Sequence, residues 1–220
     1  MNTWELQHRF NLEMEKFGVL HPVMSTIVED YINYAYQQYV TEKYDSLINR
    51  EEKFEITERI SRILAPILDD FSTAVFVAIT TNSPYGYYCT APADLQYIIK
   101  ESAVINYTDC NGNLATQSCK IVPIKHHMIE SNKNNPFLKP EKDEIWRVNF
   151  SSNRIELILY SGVTLNTYSC RYMKKLTPVS FLSGAEVTIE IDDSVHEEIV
   201  VRAAYLHMAD LRKQKTEENV

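Results

Sequence analysis

No apolar run in this sequence approaches the roughly 20 residues a membrane helix needs, so no membrane partner is expected. The stretch MNTWELQHRFNLEMEKFG lacks the apolar core of a signal peptide, and a soluble protein made in a cytoplasm is expected. Glycine is scarce, with five in 220 residues, and Gly86, Gly112, Gly162 and Gly184 are isolated and read as turn residues. That pattern contains no P-loop, no dinucleotide fingerprint and no G-x-S-x-G elbow, and no cofactor is expected. Cysteine is limited to Cys89, Cys110, Cys119 and Cys170, with no C-x-x-C pair. The spacing fits neither a zinc ribbon nor a disulfide framework, so reduced, partly buried thiols are the default. Positive charge is also in deficit. A net charge of −8 argues against a generic nucleic-acid binder, whose affinity comes from clustered Lys and Arg. The basic runs RYMKKL and RKQK read as solvated element ends.

Catalytic candidates are few. His196-Glu197 suggests half of a zincin helix, but the position one turn on holds Val200, and His207 lies about 16 Å along the axis. The same stretch reads better as a helix start, with Asp192, Asp193 and Ser194 as caps and Glu197 and Glu198 at the positive end of the dipole. Its core face is Val195, Ile199, Ala203 and Leu206. His126 and His127 are adjacent, and adjacent residues point apart on helices and strands, so exposed polar residues are favoured over a metal pair. Cys89 and Cys170 sit in strand-like contexts where thiols usually fill cores. Paired with a distant histidine, either thiol would make a cytoplasmic hydrolase, which is one alternative. A monomeric small-ligand module in the β region is another. Asp69–Asp70 and Asp192–Asp193 border apolar segments and read as turn or cap residues. The residues favour an interaction protein over an enzyme, with no catalytic or metal residue to assign.

The hydrophobic share of 45% is that of a chain with a real core. The first third reads as helices. Leu6, Phe10, Met14 and Phe17 recur at helical spacing until Gly18, and Pro22 opens a longer helix. FEITERISRILAPIL is a third helix that Pro66 ends or kinks. The composition then turns β-branched. TAVFVAITT reads as a buried strand, CNGN as a hairpin turn, and EIWRVNF, NRIELILY and VTLNTYSCRYMKKL as a meander. LTPVSF and AEVTIEI carry the chain to a closing helix. The expected class is α+β: N-terminal helices over 1–68, a central, mostly antiparallel β region over 69–191, and a C-terminal helix and tail over 192–220, forming one compact domain overall.

The long second helix is unusual. Met24, Ile27, Val28, Tyr31, Ala35 and Tyr39 form one apolar arc, with Tyr34 to one side of it and Ile32, Tyr36, Val40 and Tyr44 on the other. That width exceeds one packing face, so either other helices surround it or part of it meets another chain. Eight of the fourteen tyrosines fall here and in PYGYYCTAP. Tyrosine suits interfaces and monomer boundaries alike.

IVEDYINYAYQQYVTEKYDSL followed by FEITERISRILAPIL resembles the amino-terminal helices of neck-ring proteins of tailed bacteriophages. HHMIESNKNNPFLKP is similar to that family's polar segment ending in Asn-Pro-Phe, and CRYMKKLTPVSF with VTIEIDDSVHEEIVVRAAYLHMAD to its ending. Tyr36-Gln37 stands where Ala-Gln is usual, and Leu176-Thr177-Pro178 where Lys-Lys-Pro is. The best match is with head-to-tail connector rings of crAss-like phages. The resemblance implies a structural virion protein without enzymatic activity, made in the host bacterial cytoplasm. It implies a homo-oligomeric, dodecameric ring below the portal that contacts other neck and tail rings and lets genomic DNA pass without sequence-specific binding. Head-to-tail contacts are heterologous. Interface candidates are Tyr31, Tyr36, Tyr39 and Tyr44, with Pro136 and Phe137 as a loop anchor on a neighbour; Phe137 has the alternative of pinning its own loop.

Overall fold

The side chain of Asn2 accepts the backbone N–H of Glu5 while the Glu5 carboxylate accepts that of Asn2, a capping box that starts helix α1 (Thr3–Lys16). Gly18, at φ +85°, ends it in the left-handed region that other residues avoid. The computed structural model describes residues 1–48, 54–79, 86–125, 127–129, 140–151, 154–182 and 186–217. Helix α2 (Ser25–Ile48) begins three residues after Pro22, and α3 (Phe54–Leu64) runs into a 3₁₀ turn, Ala65–Ile67, that contains Pro66. The last helix, α4 (His196–Glu217), follows a 3₁₀ turn at Asp193–Val195. Asp192, one of the expected caps, caps that turn, its carboxylate accepting the Ser194 N–H.

The chain divides into two compact units. Met1–Ile67 with Leu176–Val220 form a helical unit, and Leu68–Lys175 form a β unit. In the helical unit α2 contacts α1, α3 and α4, while α4 packs on α1 and α2. Leu6, Phe10, Met14, Val28, Ile32, Ala35, Leu64, Ile199, Ala203 and Ala204 are fully buried. Adjacent alanines at 203 and 204 suit a helix with neighbours on two sides, because they let both approach closely.

Among the described residues of LTPVSF and AEVTIEI, which carry the chain to the closing helix, one bridge forms, Ser180 to Val187. Side chains of α2 satisfy the backbone instead. Asn33 accepts the Val179 N–H and donates to its carbonyl, at 2.6 and 3.0 Å, and Glu29 accepts the Phe181 N–H at 3.0 Å.

The β unit holds β1 (Leu68–Thr73), β2 (Val77–Ile79), β3 (Gly86–Thr90), β4 (Leu95–Thr108), β5 (Leu114–Pro123), β6 (Glu144–Ser151), β7 (Arg154–Ile158) and β8 (Thr164–Lys174). Their order is β1-β8-β4-β5-β6-β7-β3-β2, antiparallel except for β5 with β6. β1 and β2 lie at opposite ends of that order, yet three residues join them. A flat eight-stranded sheet would separate them by roughly 30 Å at ~4.8 Å per strand, so the sheet must curl on itself. It encloses Cys89, Ala103, Ile105, Ile145, Leu157, Tyr168 and Cys170, drawn from β3, β4, β6, β7 and β8. The class is therefore α+β. The hairpin at CNGN forms as expected, with Gly112 at φ +84° and Asp109 accepting the N–H groups of Asn111 and Asn113. The expected meander differs, because β8 pairs with β1 and β4 and not with β7.

Candidate subunit-contact surfaces

The faces of α2 decide which tyrosines a neighbouring molecule could touch. Tyr36 and Tyr39 are each 1% exposed and Tyr44 8%, inside the helical unit with Val28, Ile32, Ala35 and Val40. Tyr39 lies under two cations, with Lys43 Nζ 5.2 Å and the Arg202 guanidinium 5.5 Å from its ring centre. Burial, with the Glu190 carboxylate nearby, pushes the Tyr36 hydroxyl above its ordinary range, and burial does the same to Tyr39. Tyr31 is half-buried, its hydroxyl donating to Asp210 at 3.0 Å and its ring 4.7 Å from that of His207. Pro136 and Phe137 lie outside the described residues. From Val28 to Tyr44 the two apolar arcs of α2 thus merge into one broad, largely buried face, which helices of the same chain cover, while Met24 at the start of the first arc is exposed.

The opposite face of α2 looks outward. Asp30, Tyr34, Gln37, Glu42 and Asp45 are exposed there, with Gln38 and Thr41 half-buried between them. A shallow groove is lined by Tyr34, Gln37, Gln38, Thr41, Glu42 and Asp45. The stripe from Asp30 to Asp45 runs about 22 Å along the axis. Its middle is uncharged, and Tyr34 is 53% exposed with no ring or hydrogen-bond partner among the described residues. Glu42 is paired with Arg202 at 2.8 Å, whereas Asp30 and Asp45 pair with no cation among the described residues. Sequence reasoning placed Tyr34 to one side of the arc. The polarity of Gln37, Gln38 and Thr41 at its spacing is the signal that marks the outward face.

Among the described residues, most of the candidate reactive groups named from the sequence are buried or paired. Burial pushes the Cys89 thiol up to about 11 and raises Cys119 and Cys170 as well, so few thiolates exist at neutral pH. His196 and His207 are buried; burial lowers the proton affinity of His207 against the opposing pull of Asp210, and the His196 ring nitrogen Nε2 lies 2.9 Å from the Ile191 carbonyl oxygen. His126 lies outside the described residues, and His127 is exposed. Asp69 and Asp70 stand on β1 paired with Lys174 and Arg171; the bidentate Arg171 contact holds the Asp70 carboxyl below its usual range. No three potential metal ligands converge among the described residues, and none of the described helices is long and apolar enough to cross a membrane. Cys110 is the exposed thiol. Ellman's reagent on the folded protein should therefore modify one thiol quickly, absent in Cys110→Ser, and three only on unfolding. A second fast thiol would favour the cysteine hydrolase.

Arg147 on β6 meets Glu101 on β4 inside the β unit. Its Nε lies 2.9 and 2.8 Å from the two carboxylate oxygens, and both side chains are 12% exposed. The fully buried Tyr168 donates its hydroxyl to the same carboxylate at 2.9 Å, which together with burial raises the tyrosine far above its ordinary value. Every charge here has a partner, as a buried structural network requires.

A family model described as phage tail ring protein 3/4 matches residues 1–219. The chain is 25% identical over 220 residues to "Ring protein 3" of Bacteroides phage crAss001, an alignment that covers 94% of each protein. It is 27% identical over 216 residues to "Ring protein 4/5" of the same phage, covering 90% of this chain and 82% of that relative.

Proposed function

We infer that this chain, which belongs to the phage tail ring protein 3/4 family, works as one copy of a closed ring in the connector between head and tail of a virion. The observation that carries this reading is the family match, which spans residues 1–219. The settings of the thiols and histidines agree with a protein whose work is assembly. The ring is dodecameric in this proposal, with the portal and other neck or tail rings as neighbours.

The charge supports a second part of the proposal. Residues 1–67 and 176–220 carry eleven Lys and Arg against twenty Asp and Glu, a formal −9, while residues 68–175 carry eleven against ten, a formal +1. A ring that turns its helical units to the channel presents like charge to DNA phosphates, so the genome passes without adhering. In the same proposal α2 is an interface helix. Tyr31 reaches the surface in part, Tyr36, Tyr39 and Tyr44 support the outward stripe from beneath, and Pro136 and Phe137 contact an adjacent ring.

Quantitative mass spectrometry of purified particles tests this directly. The chain should be a virion component at a copy number equal to one ring. Its absence from particles, with abundance in infected-cell lysate, would favour the enzyme or small-ligand alternatives.

A further inference from the structure

The segment Ala74–Ile79 is apolar, carries no charge and no proline, and was expected to be buried. The structure places it at the edge of the sheet. Among the described residues β2 pairs with β3 alone; Val75 is 77% exposed and Val77 48%, while the intervening Phe76 packs on the core. Edge strands that stay monomeric usually carry charge or proline or are covered by a helix or loop, because an open apolar edge invites another chain. This edge has none of those protections among the described residues.

A recognition group adjoins it. Tyr88 lies opposite Val77 in register, and the Arg154 guanidinium sits 4.6 Å over the Tyr88 ring. Arg154 is exposed and pairs with no carboxylate among the described residues; Glu156, across from Tyr88, is half-buried and already engaged. A tyrosine–arginine stack is the kind of pair that anchors interface hot spots, and the exposed valines beside it add apolar area around that anchor.

The occupant follows from charge. The patch presents Arg154 on a β unit of formal +1, and the chain's own helical unit holds −9. On that unit the stripe of α2 offers Tyr34 between Asp30 and Asp45, which lack cation partners among the described residues. A head-to-tail ring requires two unlike, complementary surfaces on each copy. We propose that the β2 edge patch of one copy, Val75, Val77, Tyr88 and Arg154, docks on the outward stripe of α2 of the next copy. The helix then covers the open edge and Arg154 meets Asp30 or Asp45. This rests on the ring reading and deepens it by naming both halves of the contact.

Light scattering and sedimentation velocity of the full chain, in low and moderate salt, test it. Val75→Asp with Val77→Asp, Arg154→Glu, and Asp30→Lys with Asp45→Lys should each weaken self-association about tenfold or more, with circular dichroism unchanged. Arg154→Glu combined with the two lysine substitutions should recover most of the loss. Wild-type assembly that all three variants share, or failure of the combined variant to recover, overturns this docking and leaves the ring reading standing. Wild-type protein that assembles neither alone nor on a purified portal overturns both.

Discussion

Replacing Arg147 with alanine should destabilise the β unit by about 3–5 kcal/mol, because it leaves the Glu101 carboxylate buried without its cation. The loss is that of an uncompensated charge and not the net worth of the pair. Two further variants separate these quantities. Arg147→Met with Glu101→Leu removes both charges and should recover most of the loss, as apolar replacement of buried pairs often does. Tyr168→Phe removes one charge-assisted hydrogen bond to the same carboxylate and should cost about 1.5–3 kcal/mol. Trp146 on β6 is 5% exposed, so its fluorescence during urea unfolding reports on this unit. If Arg147→Ala unfolds at the wild-type urea midpoint, the network has no structural role.

The second large effect lies on α2 and separates its two faces. Tyr39→Ala removes a ring that is 1% exposed and should cost the helical unit about 3 kcal/mol or more through lost burial and the cavity left behind. Tyr34→Ala, at 53% exposure, should change unfolding by no more than about 0.5 kcal/mol. In assembly the order reverses. Tyr34→Ala should weaken ring formation while remaining fully folded, and any assembly defect of Tyr39→Ala should track its loss of folded protein. Urea midpoints measured beside sedimentation profiles check both statements. Equal midpoints for the two variants would contradict the assignment of inner and outer faces.

The contrast on α2 shows what the sequence made legible. Periodicity identified α2 and its wide apolar arc, and the α+β class followed from helical spacing before residue 68 and β-branched runs after it. Spacing could not say what fills the arc. Tyr36, Tyr39 and Tyr44 face inward because α1, α3 and α4 approach α2 from several directions, and that arrangement is set by tertiary packing. Ala74–Ile79 misled for a related reason. Composition reports that a segment suits a sheet, while its position at the edge depends on strand order. Strand order is non-local too, so β8 leaves the expected meander for β1 and β4. At LTPVSF the backbone is held by Asn33 and Glu29, some 150 residues earlier, a long-range pairing that local pattern does not reveal. The family resemblance came from the order of weak motifs along the whole chain, which local propensity does not encode.

Cryo-electron microscopy of the connector in intact particles is the most direct measurement. We expect this chain in a closed ring, with Tyr34 and its flanking α2 stripe covered by the adjacent copy and Tyr36 and Tyr39 still inside their own subunit. Density that places the chain outside any ring, or a ring in which the α2 stripe faces solvent throughout, would contradict the account.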